Sequence, residues 1–272
     1  MKKILLVLLV VMLVVVTAIG AVGCKSSKGT IVVGVTDYEP MDYQDEDGNW
    51  IGFDADMARE VFGNLGYTVI FKEIEWEQKY VELDAGTIDC IWNGFTAQGV
   101  DEINGQEVLR TDLVDFSYNY MNNQQCIVVK SDIASSITSE AALAGKIGAA
   151  EDGSAGFTYA SDLKADGKIA QAKGVTSQRA ALLEVVAGTS DFAVVDLLMA
   201  NSMAGKGDFA SLAKAPIELE GEVYAIGFKK GSALRAEVNA ELEKLAASGK
   251  TQEIAKKYKL ENSVITDYSS QK

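Results

Sequence analysis

Ile31-Val32-Val33-Gly34-Val35, Tyr67-Thr68-Val69-Ile70-Phe71 and Ile88-Asp89-Cys90-Ile91-Trp92 are apolar, largely β-branched or aromatic runs, and what lies between them decides the fold. After the first run, Met57, Val61 and Leu65 recur at fourfold spacing, which predicts a helix over residues 54–64 with one buried face. After the second, residues 77–85 read as another helix. Strand, helix, strand, helix, strand is the alternation of a largely parallel sheet with helices on both faces. The rhythm returns downstream with a strand at 146–149 and a helix after Ser154. A helix at 176–187 follows, capped by Thr176 or Ser177 and stopped by Gly188, and then a strand at 192–195. An apolar strand at 126–129 separates the two βα runs, so the chain reads as two lobes. The last third adds a strand at 222–228, an amphipathic helix with Leu234, Val238, Leu242 and Leu245 on one face, and a helix at 252–258.

The N-terminus has to be set aside before any fold reasoning. Lys2 and Lys3 precede an apolar run over 4–16, small residues follow at Ala18, Gly20, Ala21 and Gly23, and then comes Cys24. That order resembles a bacterial lipoprotein signal peptide, in which residues 1–23 are removed and Cys24 is acylated. The run is short for a bilayer span, which takes about 20 residues. The transmembrane-anchor alternative also puts the folded part outside the cytoplasm. Residues 24–29 read as a polar tether.

Composition narrows the function. The chain has 39 acidic and 25 basic side chains, a formal charge of −14, and no histidine. An acidic surface repels phosphate backbones, so no nucleic acid is expected as a partner. Without histidine the chain lacks the commonest metal ligand and the commonest general base. No metal, no cofactor and no catalysis are expected. Beyond Cys24 only Cys90 and Cys126 remain, both in apolar strand-like runs. They read as small buried hydrophobes, with a disulfide between them as the alternative.

Several stretches then resemble a known family, the extracellular solute-binding proteins of polar amino-acid ABC importers. The first is Val33-Gly34-Val35-Thr36-Asp37-Tyr38-Glu39-Pro40-Met41, with Gly52-Phe53-Asp54-Ala55-Asp56 after it. The second is Gly86-Thr87-Ile88-Asp89-Cys90-Ile91-Trp92-Asn93-Gly94-Phe95-Thr96. Val114-Asp115-Phe116-Ser117 with Tyr120, Asp152-Gly153-Ser154-Ala155-Gly156, Gly188-Thr189-Ser190-Asp191-Phe192-Ala193-Val194-Val195-Asp196 and Lys256-Lys257-Tyr258 follow in the family's order. The resemblance implies an α/β, two-lobed periplasmic-binding-protein type II fold whose lobes are joined by two crossover segments, near 124–130 and 218–223. It divides the chain into 30–125 as the first part of lobe 1, 126–219 as lobe 2, and 220–272 returning to lobe 1. It also implies a monomer that closes around a small polar solute, expected to be an amino acid. ABC permease subunits would receive the solute, and the lipid on Cys24 would hold the protein to the membrane of the cell envelope.

An amino acid is a zwitterion, so its pocket must supply an acceptor for the ammonium and donors for the carboxylate. By resemblance Asp196 takes the α-amino group; its alternative is a helix N-cap. Thr96, with backbone groups of Asn93, Gly94 and Phe95, lies on the loop that bonds the zwitterion, although an ordinary strand-end turn would look the same. Ser154 and Ala155 open a helix whose N–H groups suit a carboxylate. Tyr38 and Trp76 match positions that sandwich the solute, with loop or core packing as the alternative. The sequence departs from the family where a short Thr-x-x-Arg stretch normally grips the carboxylate. Here Ala97-Gln98-Gly99-Val100-Asp101 stands in that place, and the next arginine is Arg110, either swung in as a replacement or left as a solvated surface residue. Two other roles share this fold: a dehydratase acting on cyclic acids, for which Glu151 or Asp152 would be the acid or base, and a ligand-sensing module.

Overall fold

The computed structural model describes residues 28–272. The expected signal peptide and Cys24 lie outside them. Lys28 is docked, its N–H donating to Gly66 O at 2.8 Å and its Nζ pairing with Glu237 at 2.7 Å, directly before the strand Gly29–Val35.

Two sheets organise the chain. The first has the strand order Tyr67–Glu73, Gly29–Val35, Cys90–Ile91, Gly227–Phe228, Asp115–Phe116, with the first three parallel. The second has the order Gln171–Val175, Ile147–Glu151, Phe192–Asp196, Met121–Lys130, Leu212–Lys214, again with the first three parallel. Parallel alternation therefore builds one side of each sheet, and antiparallel strands complete both. The reason is the route of the chain. Met121–Lys130 pairs through Gln124 with Gly221–Tyr224 and from Gln125 onward with Phe192–Asp196, so one continuous strand runs from one lobe into the other. The single strand expected at 222–228 is divided for the same reason: Gly221–Tyr224 pairs with the crossing strand and Gly227–Phe228 joins the first sheet.

The helix Phe53–Leu65 buries Met57, Ala58, Val61 and Phe62, the face read from the fourfold spacing, and stops where Gly66 turns left-handed at φ 92°. A separate apolar cluster fills the second lobe, built from Ile127, Val129, Leu143, Leu163, Phe192 and Val194. There Ser177 caps the helix Gln178–Ala187, its Oγ accepting from Ala180 N at 3.0 Å, and Gly188 ends it in the left-handed region. Ser177→Ala is expected to cost about 1 kcal/mol. For a chain of this size that lowers the melting temperature by about 2–4 °C, measurable by circular dichroism with solute binding unchanged.

Cys90 and Cys126 are buried free thiols in different sheets, so the disulfide alternative is set aside. Burial pushes the Cys126 thiol up to about 12 and Cys90 well above its ordinary range, which leaves both as apolar packing groups. Among the described residues no helix is long and apolar enough to cross a membrane.

Candidate solute-binding site

Asp196 ends the strand Phe192–Asp196 and is 5% exposed. Its Oδ1 accepts from Asn123 Nδ2 at 2.7 Å and Gln125 Nε2 at 2.6 Å, and its Oδ2 accepts from Gln178 Nε2. Gln178 also holds the Asp196 backbone, accepting its N–H at 2.8 Å. Asp196 holds the N-cap position of the helix Leu197–Met203, as the alternative had it, but its side chain makes no capping bond. Beside it Glu222 accepts from Thr96 Oγ1 at 3.0 Å, Gln125 Nε2 at 2.9 Å and Asn123 Nδ2. Burial, and after it the charge of Glu222, push the Asp196 carboxyl up to about 8. An arriving cation would relieve that strain on the ionised form.

The opposite wall is the loop after Cys90–Ile91. The Asn93 side chain is taken up within its own lobe, accepting from Thr36 N at 3.0 Å and Thr36 Oγ1 at 2.6 Å and donating to Asp42 Oδ2 at 2.8 Å. Gly94 sits at φ 57°, and a Cβ there would lie 2.5 Å from the Tyr38 ring, so the position requires glycine. Its N–H donates to Asp54 Oδ2 at 2.7 Å, which corrects the expectation that this group faces a solute. Asp54 is wholly buried and also accepts from Tyr120 OH at 2.7 Å; burial pushes its carboxyl up to about 7 against those bonds. Tyr38 does not line the cleft cavity. Its ring packs under Gly94 and its hydroxyl meets Tyr224 OH at 2.7 Å, a role in shaping the loop. Trp76 does line it, standing edge-on to Phe95 with centroids 5.2 Å apart.

Arg110 reaches this wall by an unexpected route. Val100–Ile103 and Gln106–Leu109 form an antiparallel hairpin whose turn residues Asn104 and Gly105 have φ of 53° and 78°, the Asn-Gly turn that matches strand twist. The hairpin returns the chain to Thr96, and Arg110 is 2% exposed, which corrects the surface alternative. Its Nη1 donates to Thr96 O at 3.1 Å, while Nε and Nη2 donate to Asp101 Oδ1 at 2.9 and 2.7 Å. Asp101 also accepts from Tyr80 OH at 2.6 Å and pairs with Lys79 at 3.2 Å.

From the second lobe, Ile147–Glu151 delivers Glu151, and Ser154 then caps the helix Ala155–Ala165, its Oγ accepting from Phe157 N at 3.0 Å. First-turn N–H groups of a helix have no intrahelical acceptor, so this end suits an anion. Burial, and then Asp196, push the Glu151 carboxyl up to about 8 against the pull of Lys79.

Trp76, Asn93, Gly94, Thr96 and Arg110 from one side meet Gln125, Glu151, Ser154, Ala155, Gln178 and Asp196 from the other around one cavity of about 20 Å³, room for a single water molecule. Two bonds fasten the walls together: Lys79 Nζ donates to Gly153 O at 3.0 Å and Ser202 Oγ to Glu39 Oε1 at 2.6 Å. Outside them a depression of about 320 Å³ is lined by Glu77, Glu102, Glu107, Asp152 and Asp162, together with the paired Lys79 and Asp101.

The sequence profile of the bacterial extracellular solute-binding proteins, family 3, matches residues 31–261. The chain belongs to that family. This solute-binding protein is 28% identical over 236 residues to the L-cystine-binding protein TcyA of Bacillus subtilis, covering 85% of this chain and 81% of that one. It is 30% identical over 229 residues to an L-arginine-binding protein of Pseudomonas aeruginosa, with 81% and 84% covered. Among solved structures, an ABC uptake transporter substrate-binding protein from Streptococcus pneumoniae with bound histidine superposes with a TM-score of 0.73 at 32% identity, covering 86% of this chain and 93% of that one. These neighbours share the two-lobed fold.

Sequence reasoning overlooked the amides that position Asp196 in this solute-binding protein. Asn123, Gln125 and Gln178 carry no motif, and Glu222 stands in a segment read only as a strand. One signal was present: Asn122-Asn123-Gln124-Gln125 is a run of four amide side chains leading directly into an apolar strand. Polar side chains at that density beside a buried strand need partners.

Proposed function

We propose that this solute-binding protein captures an amino acid in the cleft and delivers it to an ABC permease. Residues 30–125 with 220–272 form one lobe and 126–219 the other, and the paired crossing strands Met121–Lys130 and Gly221–Tyr224 act as the hinge. Asp196 receives the α-ammonium. The Ser154 N–H is spent on Glu151 O at 3.1 Å, so the Ala155 N–H and the Ser154 hydroxyl, with Arg110, receive the carboxylate, and Trp76 packs against the side chain. An amino acid is larger than one water molecule, so the lobes part to admit it, and Lys79 and Ser202 re-form their bonds on closure. A lipid on Cys24 keeps the protein on the outer face of the membrane. The names of the relatives, which specify cystine, arginine and histidine, favour an amino acid over other polar solutes.

The observation that carries this reading is the buried Asp196, oriented by three amides and raised by burial and Glu222, at the only place where both lobes' expected site residues converge among the described residues. Isothermal titration of the delipidated mature protein with the common L-amino acids tests it. Saturable 1:1 heat for at least one of them is expected; no heat from any would overturn the reading. The dehydratase alternative has one observation in its favour, the buried Glu151 carboxyl raised to about 8. Chromatographic detection of product released from cyclic carboxylic acids at the rate of an enzyme would decide for it.

A further inference from the structure

Glu151 is 3% exposed, lines the same cavity as Asp196, and its Oε1 has no hydrogen-bond partner. A buried carboxylate oxygen without a donor is uncommon and costly, and Asp196 nearby shows what satisfaction looks like, with amides from Asn123, Gln125 and Gln178. The one cation that pulls on Glu151 is Lys79, and its Nζ is already committed to Asp101 at 3.2 Å and Gly153 O at 3.0 Å. Arg110 is likewise engaged by Asp101 and Thr96 O. Neither cation bonds Glu151, and Oε1 stays without a donor although it faces the cavity.

We propose that Glu151 selects the solute's side chain, and that the solute is an amino acid whose side chain is positively charged. The proposal rests on the reading of Asp196 as the ammonium acceptor. One positive group of the solute then goes to Asp196 and the other to Glu151. Charge supports it. Glu151, Asp196 and Glu222 stand around the cleft, and a zwitterion without net charge leaves their excess uncompensated, whereas a cationic amino acid offsets part of it. The approach has the same sign: Glu77, Glu102, Glu107, Asp152 and Asp162 line the outer depression, a field that concentrates cations at its mouth and repels acidic solutes.

L-Arginine and L-citrulline have nearly the same shape and differ in side-chain charge, so their titration into wild type and into Glu151→Gln tests the assignment. Wild type is expected to prefer arginine by about 10- to 100-fold, the range for a hydrogen bond to a charged group. Glu151→Gln keeps the side chain's size, and the preference is expected to fall to within about threefold, with a melting temperature close to that of wild type at neutral pH, where burial already holds the Glu151 carboxyl protonated in the solute-free chain. Equal affinity of wild type for the two solutes, or a preference that survives in Glu151→Gln, overturns the role of Glu151 and leaves the amino-acid reading standing. Tight binding of neutral or acidic amino acids with none of basic ones does the same. Failure of wild type to bind any amino acid overturns both.

Discussion

Asp101→Ala is expected to lower the melting temperature by about 10 °C, through the loss of about 3–5 kcal/mol that follows when a buried ion pair is broken from one side. Asp101 is the single anion facing two cations, Arg110 at 2.7 Å and Lys79 at 3.2 Å, and these cations are 2% and 1% exposed. Burial by itself raises the Asp101 carboxyl, but Lys79 and Arg110 outweigh it and hold the group below its ordinary range. Lys79 moves the other way, lowered to about 8 by burial and by the charge of Arg110, against the pull of Asp101 and Glu151. With the carboxylate gone, Lys79 can shed its proton at modest cost. Arg110 cannot. The guanidinium left without its anion is therefore the main source of the loss, and Arg110→Met in the Asp101→Ala background is expected to recover much of it. Urea unfolding of the two single variants and the double variant reads the coupling directly. A loss below about 1 kcal/mol for Asp101→Ala would show that Arg110 finds another acceptor and that the hairpin is not anchored through this pair.

That cluster also shows where sequence reasoning stopped. Asn104-Gly105 is a strong hairpin signal, but the flanking residues Asp101, Glu102, Glu107 and Val108 do not alternate between apolar and polar as a half-buried strand does, so the excursion looked like a loop. Arg110 was consequently open to two readings, a replacement for the carboxylate clamp or a solvated surface residue. The helices and parallel strands were readable because each carries its own period, as Met57 and Val61 do, or its own stop, as Gly188 does. The division of the strand expected at 222–228 was not readable, since it depends on pairing with residues about a hundred positions earlier in the chain. The site shows the same contrast. Thr96, Ser154 and Asp196 stand at strand and helix ends that local pattern marks, and they line one cavity. Tyr38 has an aromatic side chain of the expected kind, but the bare α-carbon of Gly94 draws it beneath the loop. Asn123, Gln125 and Gln178 become functional only through their distance to Asp196, a quantity no local pattern carries.

Asp196→Asn is expected to weaken binding by at least about 30-fold, since truncating one partner of a buried, hydrogen-bonded charge pair costs about 2–5 kcal/mol. The same change is expected to alter stability in the opposite direction, and pH separates the two effects. The carboxyl has an ordinary value of 3.8 and is raised to about 8 in the folded chain. Between those limits the folded protein holds a proton that the unfolded chain has released, so stability present below about pH 4 is lost as pH rises toward 8. The slope is about 1.4 kcal/mol per pH unit for each such group. Glu151, raised to about 8, and Asp54, raised to about 7, add to the decline in the same window. Wild type without solute is therefore expected to unfold more readily at pH 8 than at pH 5, and Asp196→Asn to show a shallower fall. Binding follows the reverse course. An ammonium pairs with the ionised carboxylate, so affinity rises with pH toward 8 and each binding event at pH 7 releases about one proton from Asp196, with a second from Glu151 where the solute's side chain is cationic. Titrations in buffers of different ionisation enthalpy measure that release. Proton uptake on binding, or an Asp196→Asn protein that binds amino acids within a few-fold of wild type, would mean that the ammonium is held elsewhere in the cleft.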